Sequence, residues 1–344
     1  MRTPDWNPDD GLLGPAGFIF RTPVRAKAAR GAPRATGSRG ISRARALVLE
    51  RIRRVASRRP EVMVKVSGAS KGRKHLREHL AYITRNGELP VERENGEWIH
   101  GRNDVRDLAA EWWALRGATR KANARDTINL VLSMPIGTDR SGVEASATAF
   151  AKAEFGGRYD YVIAHHIDTD HPHAHVTVRA VGFDGKVLNP RKADLQRWRE
   201  HFADALRARG VPAEATPRRS RGVVKKGQRQ SVRHLDRRHA SEVTRAKIAA
   251  SIQEVQDGAS RTGEGAWVAA VKGRRQRLTK AWTALAEALE AAHERELASE
   301  VRRFAASMPP LVSERDELLQ RVRTEIDKGL PPHVREAHKP QRRR

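Results

Sequence analysis

The stretch HHIDTDHPHAHVTV, residues 165–178, concentrates the side chains of this chain best suited to chemistry. Extended backbone sends alternate side chains to one face. His166 and Asp168 therefore share a face of one strand, and His173, His175 and Thr177 share a face of the next. Asp170, His171 and Pro172 supply a turn between them. Paired with those faces aligned, the strands bring three imidazoles and a carboxylate together. Neutral imidazoles are good ligands for a divalent metal, and three of them leave coordination positions open. An open ion can polarise a phosphoryl oxygen and bear developing charge. Asp168 is placed to accept an imidazole N–H, which would fix the tautomer and raise ligand basicity. His165 and His171 fall out of register and read as ordinary surface or core histidines.

Such an ion can activate water, or it can assist a protein nucleophile that forms a covalent intermediate. The chain has no cysteine and only three tyrosines, Tyr82, Tyr159 and Tyr161. Tyr159 and Tyr161 lie in register with His165, opposite His166, and point away from the metal unless a bulge intervenes. Tyr82 shares a helical stripe with His75 and His79, beside the apolar stripe of Leu76, Leu80 and Ile83. A tyrosine on that margin can look across the sheet toward the imidazoles. Parity places it ahead of its two rivals.

The elements that must position these groups are legible as periodicity. EVMVKVS alternates as a strand, KHLREHLAYITRNG reads as a helix stopped at Asn86-Gly87, and VERENGEWIH reads as a hairpin about Asn95-Gly96. A helix over 104–117, a strand over 126–134, a helix capped by Thr138 or Asp139, strands over 159–168 and 173–181, and a helix over 193–209 follow. The fold class is α+β: a mainly antiparallel central sheet covered by helices. Residues 1–59 are rich in Gly, Pro, Ala and Arg and predict a basic, largely disordered arm, with room for a short helix near 41–55. The folded core spans 60–214, a basic linker 215–240, and a helical region with a basic tail 241–344. Leu278, Trp282, Leu285 and Leu289 make one apolar stripe of that region; Leu318, Val322 and Ile326 make another.

With 67 Lys and Arg against 41 acids, the net charge is +26, which favours a polyanionic partner. The absence of cysteine excludes disulfides and thiolate chemistry. No apolar run is long enough to span a bilayer and the N-terminus does not read as a signal peptide, so a cytoplasmic protein without membrane insertion is expected. Arg179, Arg191, Lys192, Arg218, Arg219, Arg221, Lys225 and Lys226 flank the histidine stretch in sequence and are expected to contact phosphates.

His166, Asp168, Pro172, His173, His175 and Val178 fit the pattern HxDxxxPHxHxxV. The stretch resembles the third motif of the relaxase/mobilisation nucleases of the HUH endonuclease superfamily, among them the VirD-type relaxases. HLAYITRNGELPVE is similar to that family's first motif, with Tyr82 at the nucleophile position; LVLSMPIGTD is similar to its second, with Ser133 at a position associated with DNA contact. The resemblance covers about residues 61–240 and leaves the arm and the C-terminal helices aside. It implies an HUH-type core that nicks one strand of single-stranded transfer-origin DNA with the help of Mg2+ or Mn2+. It also implies that Tyr82 keeps the 5′ end as a phosphotyrosine, with Asp168, or more weakly His79, assisting the phenol. Accessory relaxosome proteins, a type IV coupling and secretion apparatus, and export to a recipient cell attached to DNA come with it. The alternatives are an HUH rolling-circle replication initiator, a water-using metal hydrolase, and a non-catalytic basic DNA-binding protein.

Overall fold

The computed structural model describes residues 11–20, 38–116, 121, 123–223, 232, 235–236, 238, 241–256 and 266–328. In chain order the first elements are helix α1 (Leu13–Phe20), helix α2 (Ser38–Ala56), strand β1 (Met63–Gly68), helix α3 (Arg73–Ile83), strands β2 (Val91–Arg93) and β3 (Trp98–Ile99), and helix α4 (Arg102–Ala114). Strand β4 (Thr127–Ser133), helix α5 (Arg140–Phe155), strands β5 (Tyr161–His166) and β6 (His173–Arg179) and helix α6 (Lys192–Arg207) complete the sheet-bearing part. Helices α7 (Glu242–Gln256), α8 (Ala266–Ala291), α9 (Arg295–Ala306) and α10 (Glu314–Asp327) follow. The chain divides into two compact units, Arg21–Thr216 and Met1–Phe20 with Pro217–Arg344.

In the first unit, the six strands run in the order β1-β4-β6-β5-β2-β3. Every neighbouring pair is antiparallel. The α+β reading, with an antiparallel sheet under helices, therefore holds. Strand alternation divides the sheet into two apolar faces. Leu130, Leu132, Tyr161, Ile163, Val176 and Val178 pack beneath Phe150, Phe155, Trp198 and Phe202 of α5 and α6. On the other face, Val91, Ile99, Val162 and Ala164 meet Leu76, Leu80 and Ile83 of α3 and Val105, Leu108 and Trp112 of α4. The α3/α4 layer thus rests on the β5 side of the sheet. On that same face β1 leaves Met63 and Lys65 exposed.

Local signals behave as their chemistry dictates. Asp139 caps α5 by accepting the Gly142 N–H at 3.0 Å. Gly96 takes φ 85 in the β2/β3 turn, a conformation glycine adopts without steric cost. The strand expected over 159–168 is shorter, Tyr161–His166, because the chain turns out of the sheet before Asp168. Asp160, just ahead of it, is buried and accepts from Arg93 at 2.9 Å and from the Trp112 indole at 2.9 Å. One carboxylate thereby ties the β2 edge and α4 to the start of β5.

The segment 1–59, expected to lack a core, holds two helices among its described residues. The α2 side chains Ile52 and Val55 are buried, and Arg54 donates to the buried Glu214 at 2.7 Å. α1 belongs to the second unit. Its apolar run LGPAGFIF, read with the arginine-rich stretch that follows, was masked by averaging; Ala16 and Ile19 are in fact buried. In that unit Phe20 lies edge-on to Trp282 at 6.0 Å, and the Trp282 indole donates to the Ser220 carbonyl at 2.9 Å. The predicted stripe of Leu278, Trp282, Leu285 and Leu289 is buried together with Val301 and Phe304, whereas in the second stripe Val322 is buried and Ile326 exposed. Among the described residues no helix is long and apolar enough to cross a membrane.

Removing the Asp160 carboxylate would leave the buried Trp112 indole N–H without its acceptor and the half-buried Arg93 guanidinium with Glu111 as its remaining close partner. Asp160→Ala is expected to cost about 1–3 kcal/mol, mostly from the unsatisfied indole, read as a lower urea midpoint for the sheet-bearing unit. A loss below about 1 kcal/mol, the range of exposed ion pairs, would show that the network does not hold the β2 edge.

Candidate metal centre and its tyrosine

The antiparallel register of β5 and β6 sets His166 opposite His173 and Ala164 opposite His175. Ala174 and Val176, of opposite parity, go to the core beneath α5 and α6. The three imidazoles are therefore driven to the α3 side together. Their ring centroids stand 4.7, 5.0 and 5.2 Å apart. One nitrogen from each lies within 4.8 Å of the other two. A metal with nitrogen bonds of about 2.0–2.1 Å holds two such atoms no more than about 4.2 Å apart. A small inward movement of the rings is enough to meet it.

The chemistry of the donors fits as well. His166 Nε2 lies 2.8 Å from the Ile83 carbonyl, an acceptor only, so that nitrogen carries the proton and Nδ1 keeps its lone pair. His173 Nδ1 lies 2.9 Å from the His171 carbonyl, which leaves Nε2 as the free donor to a metal. Burial, with repulsion from His166, His173 and His79, pushes the His175 imidazole down to about 3. Burial likewise lowers His166. Near neutral pH these rings are uncharged, the state a metal ligand needs.

Tyr82 stands at this cluster. Its ring meets that of His175 edge-on, with centroids 6.0 Å apart and planes at 87°. It is 66% exposed, at the end of a helix whose neighbouring Ile83 is fully buried. The other two tyrosines are elsewhere: Tyr161 lies within the core beneath α5 and α6, and Tyr159 packs against it. No bulge interrupts the β5/β6 pairing, so the parity argument stands. His79, one turn before Tyr82, is bonded to Thr177 Oγ1 at 2.9 Å, and burial pushes it down to about 4.

The family model for the relaxase nuclease domain, MobA/VirD2-like, matches residues 82–211, a stretch that begins at Tyr82 and contains the three histidines. That domain belongs to the relaxase family. Two curated relatives carry the name T-DNA border endonuclease VirD2. That of Rhizobium radiobacter is 27% identical over 188 residues, 49% of this chain and 44% of the relative. That of Agrobacterium fabrum strain C58 is 26% identical over 188 residues, 49% of this chain and 42% of the relative. The matched region thus takes in less than half the length of these relatives. A solved chain from "Molecular Basis of Vancomycin Resistance Transfer in Staphylococcus aureus" aligns with 46% of this chain and 98% of its own, at 13% identity and a TM-score of 0.31.

Within the relaxase domain, Ser133 also reaches the cluster: it ends β4 and is the cross-strand partner of His173. Asp168 does not take the expected place. Both its oxygens accept from Arg85, at 2.6 and 2.8 Å, and His166 and His173 instead find backbone carbonyls. The reason is the early end of β5, which carries Asp168 out onto the turn. Arg85 holds it well ionised, at about 2. Arg179 closes β6 about 20 Å along the strand from His173 and donates to the Leu115 carbonyl at 3.3 Å. Arg191 and Lys192 open α6, on the opposite layer of the sheet from the histidines. Arg218, Arg219 and Arg221 form a short 3-10 turn in the second unit, where Arg219 lines a cavity with Phe18, Ile19 and Leu278. Lys225 and Lys226 lie outside the described residues. The groups that sequence reasoning missed are Arg85 and the two carbonyls. No side-chain type announces a carbonyl, but the helix stop at Asn86-Gly87 marked where Ile83 would have a free one.

If Asp168 acts on Arg85 and not on an imidazole, Asp168→Asn should leave Mn2+ affinity near the wild-type value in a calorimetric titration. A loss of roughly 10–100-fold, the usual consequence of removing a ligand's hydrogen-bond partner, would show that the carboxylate does orient a histidine.

Proposed function

We propose that this protein nicks one strand of DNA at a transfer origin and keeps the 5′ end on Tyr82. The observation that carries this reading is the edge-on contact of Tyr82 with His175, while the other tyrosines are packed in the core. His166, His173 and His175 are the residues that would hold a divalent ion, Mg2+ or Mn2+. When bound, the ion would neutralise charge on the scissile phosphate and so ease attack.

The chain's own residues do the rest. The Tyr82 oxygen attacks phosphorus, and the bond from phosphorus to the 3′ oxygen breaks. The 3′ oxygen leaves as a hydroxyl once it takes a proton, and the phenol proton passes to solvent at this exposed position, because Arg85 occupies both Asp168 oxygens and holds that carboxylate ionised. One phosphodiester replaces another, so rejoining needs no ATP. Ser133, beside His173, donates to a phosphate oxygen. Arg85 and Asp168 tie the end of the tyrosine's helix to the turn between the ligand strands, which fixes the attack geometry on which phosphoryl transfer depends.

The transferred strand, accessory relaxosome proteins and a type IV coupling and secretion apparatus are the partners of this reading. The protein acts in the cytoplasm and travels to a recipient attached to DNA. Residues 241–344 and 1–59 lie outside the matched nuclease domain and serve those contacts. Arg179, Arg191, Lys192, Arg218, Arg219 and Arg221 would hold phosphates away from the reacting one.

Single-stranded oligonucleotides tiling the DNA beside the gene, end-labelled and incubated with protein and Mn2+, are expected to give one site-specific cut. The downstream 5′ fragment should migrate as a protein adduct on a denaturing gel, and Tyr82→Phe should reduce both to background while binding persists. Cutting that survives in Tyr82→Phe without an adduct would establish a water-using nuclease in its place.

A further inference from the structure

Two sets of three arginines in and beside the α3/α4 layer differ in their partners. Arg85, Arg93 and Arg116 each pair with an acid, Asp168, Asp160 with Glu111, and Asp126 respectively. Arg77, Arg102 and Arg106 do not: among the described residues none has a carboxylate within 4.0 Å. These three converge on one cleft of about 530 Å3 between α3 and α4, whose walls also include Ala81 and Asn86. Glu78 is the one acid in the lining, and its cationic neighbour is Lys74 at 3.9 Å. Arg102 and Arg106 line the cleft one helical turn apart on α4, and Arg77 lines it from α3. Like charges gathered without a counterion repel, and a bound polyanion relieves that repulsion.

The cleft is also fixed relative to the tyrosine. Ala81 in its wall directly precedes Tyr82, and Asn86 lies on the turn that ends the same helix. That turn is clamped to the start of α4: the Gly101 N–H donates to the Gly87 carbonyl at 3.1 Å, and a Cβ on Gly87 would meet the Arg102 nitrogen at 2.5 Å.

We propose that this cleft is a second phosphate-binding site, which holds the backbone of the single strand a few nucleotides from Tyr82. The ligand class is a nucleic-acid phosphodiester, gripped by guanidinium forks that match phosphate oxygens. A cleft of this size takes more than one phosphate, and its position on the tyrosine's own helix favours a strand over a free anion. The inference rests on the nicking function proposed above, but it concerns binding and can be read separately.

The test is fluorescence anisotropy of a labelled 30-nucleotide single strand, in EDTA, across a range of KCl concentrations. Wild type is compared with the triple variant Arg77→Gln, Arg102→Gln, Arg106→Gln. A control triple variant, Lys152→Gln, Lys186→Gln, Arg209→Gln, removes equal charge from exposed positions elsewhere in the same unit. Each phosphate contact contributes about 0.7 to the slope of log K against log salt for single strands, so the cleft triple should lower the slope by about two and the control should not. A triple Arg→Lys variant of the cleft should keep most of the slope, which separates charge recognition from misfolding. Equal slopes for the cleft and control triples would overturn the proposal. Adduct formation by the wild type with Mn2+ is measured alongside: its absence, with the slope difference intact, would sink the nicking function and leave the cleft standing. An adduct with equal slopes would do the reverse.

Discussion

The register between β5 and β6 is the constraint on which the site depends. Strand side chains alternate with a period of two, so a slip of one residue would send His173 and His175 into the apolar core and bring Ala174 and Val176 to the surface. Burial forbids that slip. Val176 and Val178 are packed beneath the aromatic side chains of α5 and α6, and moving two imidazoles into that space would bury polar rings without partners. β4 reinforces the same alignment by pairing with β6 over seven residues, with Ser133 set against His173. The three imidazoles are thus placed by hydrophobic packing on the other side of the sheet.

A second constraint comes from the end of α3. Ile83 is buried in the core of that layer while its carbonyl accepts from His166, so one residue both anchors the helix and orients an imidazole. Given that anchor, Tyr82 must point outward along the helix margin, beside His175. The turn that follows holds Arg85, Asn86 and Gly87 at φ 50, 60 and 90. Left-handed backbone costs a non-glycine residue roughly 1–2 kcal/mol. Here it brings the Arg85 guanidinium back over the ligand turn to Asp168, and it lets Gly87 meet the start of α4.

Much of this was legible in residue spacing. Alternation alone put His166, His173 and His175 on one face and Tyr159 and Tyr161 on the other, because a strand whose pattern is regular has no other way to arrange them. Tyr82 followed from its offset against Leu76, Leu80 and Ile83. Asp168 was misplaced because parity applies only while the chain remains in the sheet, and β5 ends at His166. Arg179, Arg191 and Lys192 are near the histidines in sequence but far from them in the fold, the first by strand length and the others by lying on the opposite layer. Within the first 59 residues, the short helix allowed near 41–55 is α2, longer at Ser38–Ala56, whereas α1 was obscured by composition, since its short apolar run is diluted by the arginines and glycines around it.

The central claim is that three imidazoles on one sheet face form the metal centre beside Tyr82. Pulsed electron paramagnetic resonance of bound Mn2+, with protein labelled at histidine nitrogen with 15N, tests it most directly. Couplings to three imidazole nitrogens are predicted, with one lost in each of His166→Ala, His173→Ala and His175→Ala wherever the ion remains bound. Mn2+ held without histidine nitrogen coupling, or a spectrum unchanged by His173→Ala, would contradict the account.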